Sequence, residues 1–271
     1  MSISSLSAAQ ISSLTVTAIQ GLSTTDIQSL SGTQVAAISG TGIGALADTQ
    51  VAALSTTQVK ALTATQIPKF ATSVTFDVTQ LTQLSTQQVS ALTSTQLASL
   101  DVSHIAVLSS TQIGALSATN FSGFDATQVG QLNETQVKGL TASQVKGLST
   151  TDIGELSSTQ VGALAGDRLA ALTTTNLSAL DATQVSALST TQIAALTPSQ
   201  LKGLTTTDIG ELSAAQVGAF SAAQVGALSA TNFSALNATQ TAALSVTQIK
   251  GVTNDQIKGL TTTDIGELAD T

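Results

Sequence analysis

His104 is the only histidine and the chain has no cysteine. A zinc site needs several such ligands, and a serine–histidine–acid triad needs more than an abundance of serine, so neither can be drawn from this sequence. Three acidic pairs, Asp152 with Glu155, Asp208 with Glu211 and Asp264 with Glu267, stand three residues apart and are the right groups for a weak Ca2+ site or for acid–base work. Nothing supplies the remaining oxygen ligands, and no Gly-Gly-x-Gly-x-Asp nonapeptide occurs, so the pairs read as a solvated face with charge at helix starts. Gly42-Ile43-Gly44 is followed by no Gly-Lys-Ser/Thr and opens no dinucleotide fingerprint. Asn120, Asn133, Asn176, Asn232 and Asn237 each head an Asn-x-Ser/Thr sequon, a pattern that a chain this rich in serine and threonine produces by chance. The sequence thus yields no catalytic residue, no cofactor-binding residue and no metal ligand.

These residues sit in a narrow composition. Of 271 residues only 9% are charged and 2% aromatic, and Ser, Thr, Ala, Leu, Gln, Val and Ile fill most of the rest. The net charge is −8 and the eight basic residues are scattered, which leaves no footprint for a phosphate backbone and excludes nucleic acid as a partner. Mean hydropathy is +0.32, yet polar residues interrupt every apolar run before the roughly 18 residues that a membrane-spanning helix needs. Met1 to Gln10 has neither a basic region nor the apolar core of a cleavable signal peptide.

The reason for the narrow vocabulary is an eight-residue repeat. Val, Ile or a relative recurs at Ile3, Ile11, Ile19 and so on to Ile67, then from Leu81 to Ile265, nine anchors followed by 24, and a Leu or relative follows each by three. Thr241 alone is a polar anchor. The chain divides into an octapeptide segment 1–70, an irregular joint 71–76 that is two residues short of an octad, and a second segment 77–271. The joint reads as a tolerated deletion that re-aims a superhelix, with a functional hinge as the sharper alternative, and Pro68 beside it favours a local break. A longer period of 56 residues lies on top. Thr150-Thr151-Asp152-Ile153-Gly154-Glu155-Leu156 returns at Thr206 and Thr262, which defines three modules, 104–159, 160–215 and 216–271. Thr271 stops partway into an octad, so a longer parent array is expected.

Written from its first residue the octad is Ser/Thr-x-Thr-Gln-Val/Ile-x-Ala/Gly-Leu, as in Ser55–Leu62. Ser or Thr followed three later by Gln is a capping box, and the anchor and Leu, three apart, share one face of a short helical turn. A continuous helix fails because eight residues at about 100° each rotate the apolar pair by roughly 80° per repeat. A β-solenoid is the rival, since Val, Ile and Thr favour strands, but an odd spacing puts anchor and Leu on opposite faces of a strand. The expected fold is therefore an all-α solenoid of short capped helices, one per octad, with small Ala or Gly before the Leu letting backbones approach. The slot before the anchor is Gln in 21 of the 33 units, and His104 and Arg168 are read as variants in it.

At the level of Thr-Gln-Val/Ile-x-Ala-Leu-Ser/Thr, the chain resembles the tandem octapeptide tracts of large bacterial secreted and surface proteins of the adhesin-like, biofilm-associated kind. The resemblance implies export to the cell surface or extracellular space and a stalk or matrix role, and carries no catalytic residue with it. Equivalent repeats in place of one differentiated cleft point to a structural spacer or filament-forming protein, not an enzyme, with self-association into fibres or lateral arrays as the expected partnership. The alternative is a binding module whose column of threonines, such as Thr49, Thr57 and Thr65, presents a periodic surface to ice, glycan or another repetitive partner.

Overall fold

The computed structural model describes residues 2–269, with the side chains of residues 267–269 set aside. Within them lie 31 short α-helices and two 3-10 turns, Ile3–Ser5 and Ile67–Lys69, and no strand. The all-α solenoid of capped helices is the architecture observed, and the β-solenoid is excluded for the described residues. Two compact units divide the chain, Met1–Gly139 and Leu140–Thr271.

Each octad folds for local reasons. In Ser55–Leu62 the Ser55 hydroxyl accepts from the Gln58 amide at 3.3 Å and the Ser55 amide donates to Gln58 Oε1 at 2.8 Å. This reciprocal cap starts the helix Thr56–Ala61. The helix stops one turn later because Leu62 is extended, at φ −56° and ψ 138°, and delivers the chain to the next N-cap. Val59 and Leu62 are then 0% and 4% exposed. One turn cannot hold itself together, because nucleation outweighs what a single turn returns. The stabilisation comes from neighbours, at about 1.5–3 kcal/mol for each fully buried Val or Leu.

In each unit a helix packs on the one three octads further along the chain. In the first unit Gly32–Ala37 meets Thr56–Ala61 and Thr86–Ser90 meets Ser110–Ala115; in the second Ser158–Ala163 meets Ala182–Ser186 and Pro198–Lys202 meets Ala222–Ala227. Small residues before the Leu permit this approach. A Cβ at Gly139 would collide with the backbone of Ser110, and one at Gly251 with that of Ala222. By contrast, a Cβ at Gly154, inside Thr150–Glu155, would meet nothing within 4 Å. Gly251→Ala is therefore expected to cost about 1–3 kcal/mol through overpacking, and Gly154→Ala to stabilise by roughly 0.5–1 kcal/mol through helix propensity. Thermal melts of the two variants check the opposite signs.

The joint 71–76 is a helix-free member of the stack. Pro68 lies in the 3-10 turn Ile67–Lys69 that replaces an α-helix, and Val74 turns back to bond Ala71. Val74 and Phe76 are both buried, and Phe76 packs edge-on to Phe70 with ring centroids 5.0 Å apart. Asp77 then caps Val78–Leu81 and the octads resume.

Candidate functional site

In most octads the slot before the anchor carries a buried polar side chain, and these form a column within each unit. Gln58, Gln88, Gln200 and Gln240 are 3%, 3%, 2% and 1% exposed, deep burial for a group with four hydrogen-bonding positions. In each case both ends of the amide are bonded. Gln58 Oε1 accepts from the Ser55 amide, and its Nε2 donates to the carbonyls of Ile27 at 2.6 Å and Leu30 at 2.8 Å. Gln200 repeats this on Leu169 and Leu172, at 2.9 and 3.0 Å. The carbonyls engaged lie 31 and 28 residues upstream, in the octad four back. Since helices pack three octads apart and side chains reach four octads back, one turn of each superhelix holds between three and four octads.

Glutamine suits this post for a physical reason. A one-turn helix leaves its last carbonyls without intrahelical partners, and burial makes an unmet carbonyl costly. The cap uses the amide oxygen and leaves two N–H donors on the other side of the same planar group. The column also crosses the joint intact. Gln80 bonds Val51 and Leu54, separations of 29 and 26 rather than 31 and 28, so the joint fills the place of one octad with two residues fewer.

The variants follow the same chemistry. Asn176 and Asn232 are too short for both tasks: Nδ2 donates to Leu148 and Leu204, at 2.6 and 2.7 Å, while no capping box forms at Thr173 or Ser229. Asn120 likewise donates to Leu92 at 2.9 Å. Three of the five sequons are therefore rungs of the column, and Asn133 and Asn237 are N-caps. Arg168 reaches Leu140 through Nε at 2.7 Å and pairs with Asp167. His104 Nδ1 sits 2.8 Å from Asp101, its own N-cap. The Ser103 hydroxyl first, then the His104 ring, hold the Asp101 carboxyl well below its usual range.

Aspartate has no donor to offer, and here the upstream octad supplies one. Asp208 accepts from the Thr205 amide at 2.6 Å and from the Ser178 hydroxyl at 2.6 Å; Asp264 accepts from Thr261 at 2.7 Å and Ser234 at 2.5 Å. Bonding from Ser234, then Thr261, holds Asp264 below its ordinary value.

Residues 167–198 and 198–230 match the ALTTAQ repeat family model. Each matched segment is about four octads long. The chain is a repeat protein with these copies in tandem. No curated protein matches it.

One expectation is corrected. Asp208 and Glu211 do not form a solvated face; both line a cavity of about 20 Å³ whose other walls are Leu177, Leu180, Leu188, Leu196 and neighbouring apolar side chains. Glu211 occupies the octad position given in most units to Ala or Gly, and its Oε2 is buried at this wall. Glu155 holds the equivalent position, and the side chain of Glu267 lies outside the described residues.

Proposed function

We propose that the chain is a structural repeat protein, a spacer, stalk or filament-forming component of a bacterial surface or extracellular matrix, with no catalytic role. The observation that supports this reading is the use made of its polar residues. His104, Arg168, the slot asparagines and the column glutamines are engaged in caps within an octad or in rungs between octads four apart. Interchangeable modules fit a protein whose property is length. Among the described residues no helix is long and apolar enough to cross a membrane, in keeping with a role outside the bilayer. Such proteins gain length by adding repeats, since stability is a sum over neighbouring interfaces.

Solution scattering tests the reading. Variants with one 56-residue module removed or duplicated are expected to change the maximum particle dimension by equal and opposite increments. A dimension indifferent to module number would contradict it. The binding reading rests on the exposure of Thr49, Thr57 and Thr65, and is favoured only if the intact chain shows thermal hysteresis in ice or retention on a glycan array.

A further inference from the structure

Glu211 Oε2 is buried with no hydrogen-bond partner, at the wall of the apolar cavity it shares with Asp208. A carboxylate in that position has no protein donor or cation beside Oε2 to stabilise it. The helix carrying it, Thr206–Glu211, packs on Ala182–Ser186 and Ala230–Ser234. Neither of those helices bears an ionisable group, and the charges that face Glu211 are acidic, Asp208 on its own helix and Asp181 at the N-cap of Ala182–Ser186. No Lys, Arg or His lies among the described residues of the cavity wall. At about 20 Å³ the cavity is too small for an organic ligand. A proton taken up by Glu211 removes the uncompensated charge.

The chamber recurs. A second cavity is lined by Phe233, Leu236, Thr241, Leu260 and Asp264, each 56 residues after Leu177, Leu180, Val185, Leu204 and Asp208 of the first. The Ser178–Asp208 bond has its counterpart in Ser234–Asp264. Thr241, the one polar anchor in the whole series, stands on this wall, where Val185 stands in the other. A polar anchor is thus tolerated where a carboxylate is near.

We propose that Glu211 is an internal proton-binding group that makes its unit pH-responsive, uptake of the proton tightening the packing of Thr206–Glu211 on its neighbours and ionisation loosening it. Burial first, then the charges of Asp208 and Asp181, raises the Glu211 carboxyl above its ordinary value. A folded-state value above the unfolded one means that the stabilisation is fully present below the ordinary value of 4.5 and is lost as pH rises through the folded value. Asp26, held down mainly by the Ser23 hydroxyl, and Asp264 behave oppositely, their contributions being lost only as pH falls below the ordinary 3.8. The two responses have opposite signs, the raised group gaining stability as pH falls towards 4.5 and the lowered groups losing it only below 3.8.

The test is Glu211→Gln in the full chain, compared with wild type and with Glu134→Gln, a surface control beside Lys138. As pH falls through the Glu211 midpoint towards 4.5, the wild-type unfolding constant is expected to fall relative to that of Glu211→Gln, by up to about tenfold per pH unit, one proton's worth of linkage, and Glu134→Gln is expected to follow wild type. The Glu211 carboxyl carbon, identified by its loss in the variant, is expected to titrate with a midpoint above 4.5. A midpoint at or below that value, or a Glu211→Gln variant with the full wild-type pH response, would overturn the proposal.

Discussion

Gln88→Ala is expected to destabilise the first unit by about 3–5 kcal/mol, whereas Gln87→Ala, one residue away, changes stability by less than about 0.5 kcal/mol. The two glutamines differ only in where the repeat places them. Gln87 is exposed. Gln88 is 3% exposed, accepts from the Ser85 amide at 2.7 Å and donates to the carbonyls of Val59 and Leu62 at 2.9 and 2.7 Å. Truncation strands the buried Leu62 carbonyl, at roughly 1–3 kcal/mol, removes the side-chain half of the cap on the Ser85 amide, and opens a hole that adds to the loss. Against a total stability of about 5–15 kcal/mol for a typical domain, this is large. Gln88→Glu is expected to be at least as damaging at neutral pH, because a carboxylate keeps the cap but turns its charge towards two carbonyls. Its penalty shrinks in acid, where the protonated group regains one donor. Urea midpoints of the three variants check the order.

Deleting residues 160–215 is expected to leave a folded chain with nearly unchanged unfolding temperature, whereas deleting only Thr197–Gln200 is expected to cost several kcal/mol, roughly 3 or more. The longer cut removes seven octads in phase. Gln216, Asn232, Gln240, Gln248, Gln256 and Asp264 then inherit the places of Gln160, Asn176, Gln184, Gln192, Gln200 and Asp208, and the one changed slot is Gln224 for Arg168. The shorter cut moves every later octad by half a repeat. Gln216 and Gln224, whose partners Val185, Leu188, Ile193 and Leu196 lie before the cut, lose their carbonyls. Circular dichroism melts of the two deletions decide between a stack governed by register and one governed by bulk burial. Equal damage from both would favour the latter.

The helical turn was legible in the octad itself. Ser or Thr, with Gln three residues later, specifies the cap, and an odd spacing between anchor and Leu rules out a strand with one buried face. The column was not legible, for a geometric reason. A capping box uses only the amide oxygen, and the nitrogen's partners lie 28 and 31 residues upstream in a sequence where every octad offers the same carbonyls. One octad cannot encode the number of octads per turn. A signal was nevertheless present in several of the exceptions: Asn and Arg keep an N–H at the slot, and Asp208 and Asp264 are matched by Ser178 and Ser234, 30 residues earlier. The inward turn of Glu211 was hidden similarly. Its helix-start neighbour Asp208 suggested a charged surface, and its octad position, which elsewhere also carries Lys69, Gln83 and Gln131, does not by itself fix an inward side chain.

Amide hydrogen exchange on Gln88→Ala tests most directly whether turns are joined through the glutamine column. If they are, protection is lost in two places far apart in sequence, at the cap around Ser85–Val89 and at the carbonyl pair around Val59–Thr63. Loss confined to the octad of residue 88, with Val59–Thr63 as protected as in wild type, would contradict it.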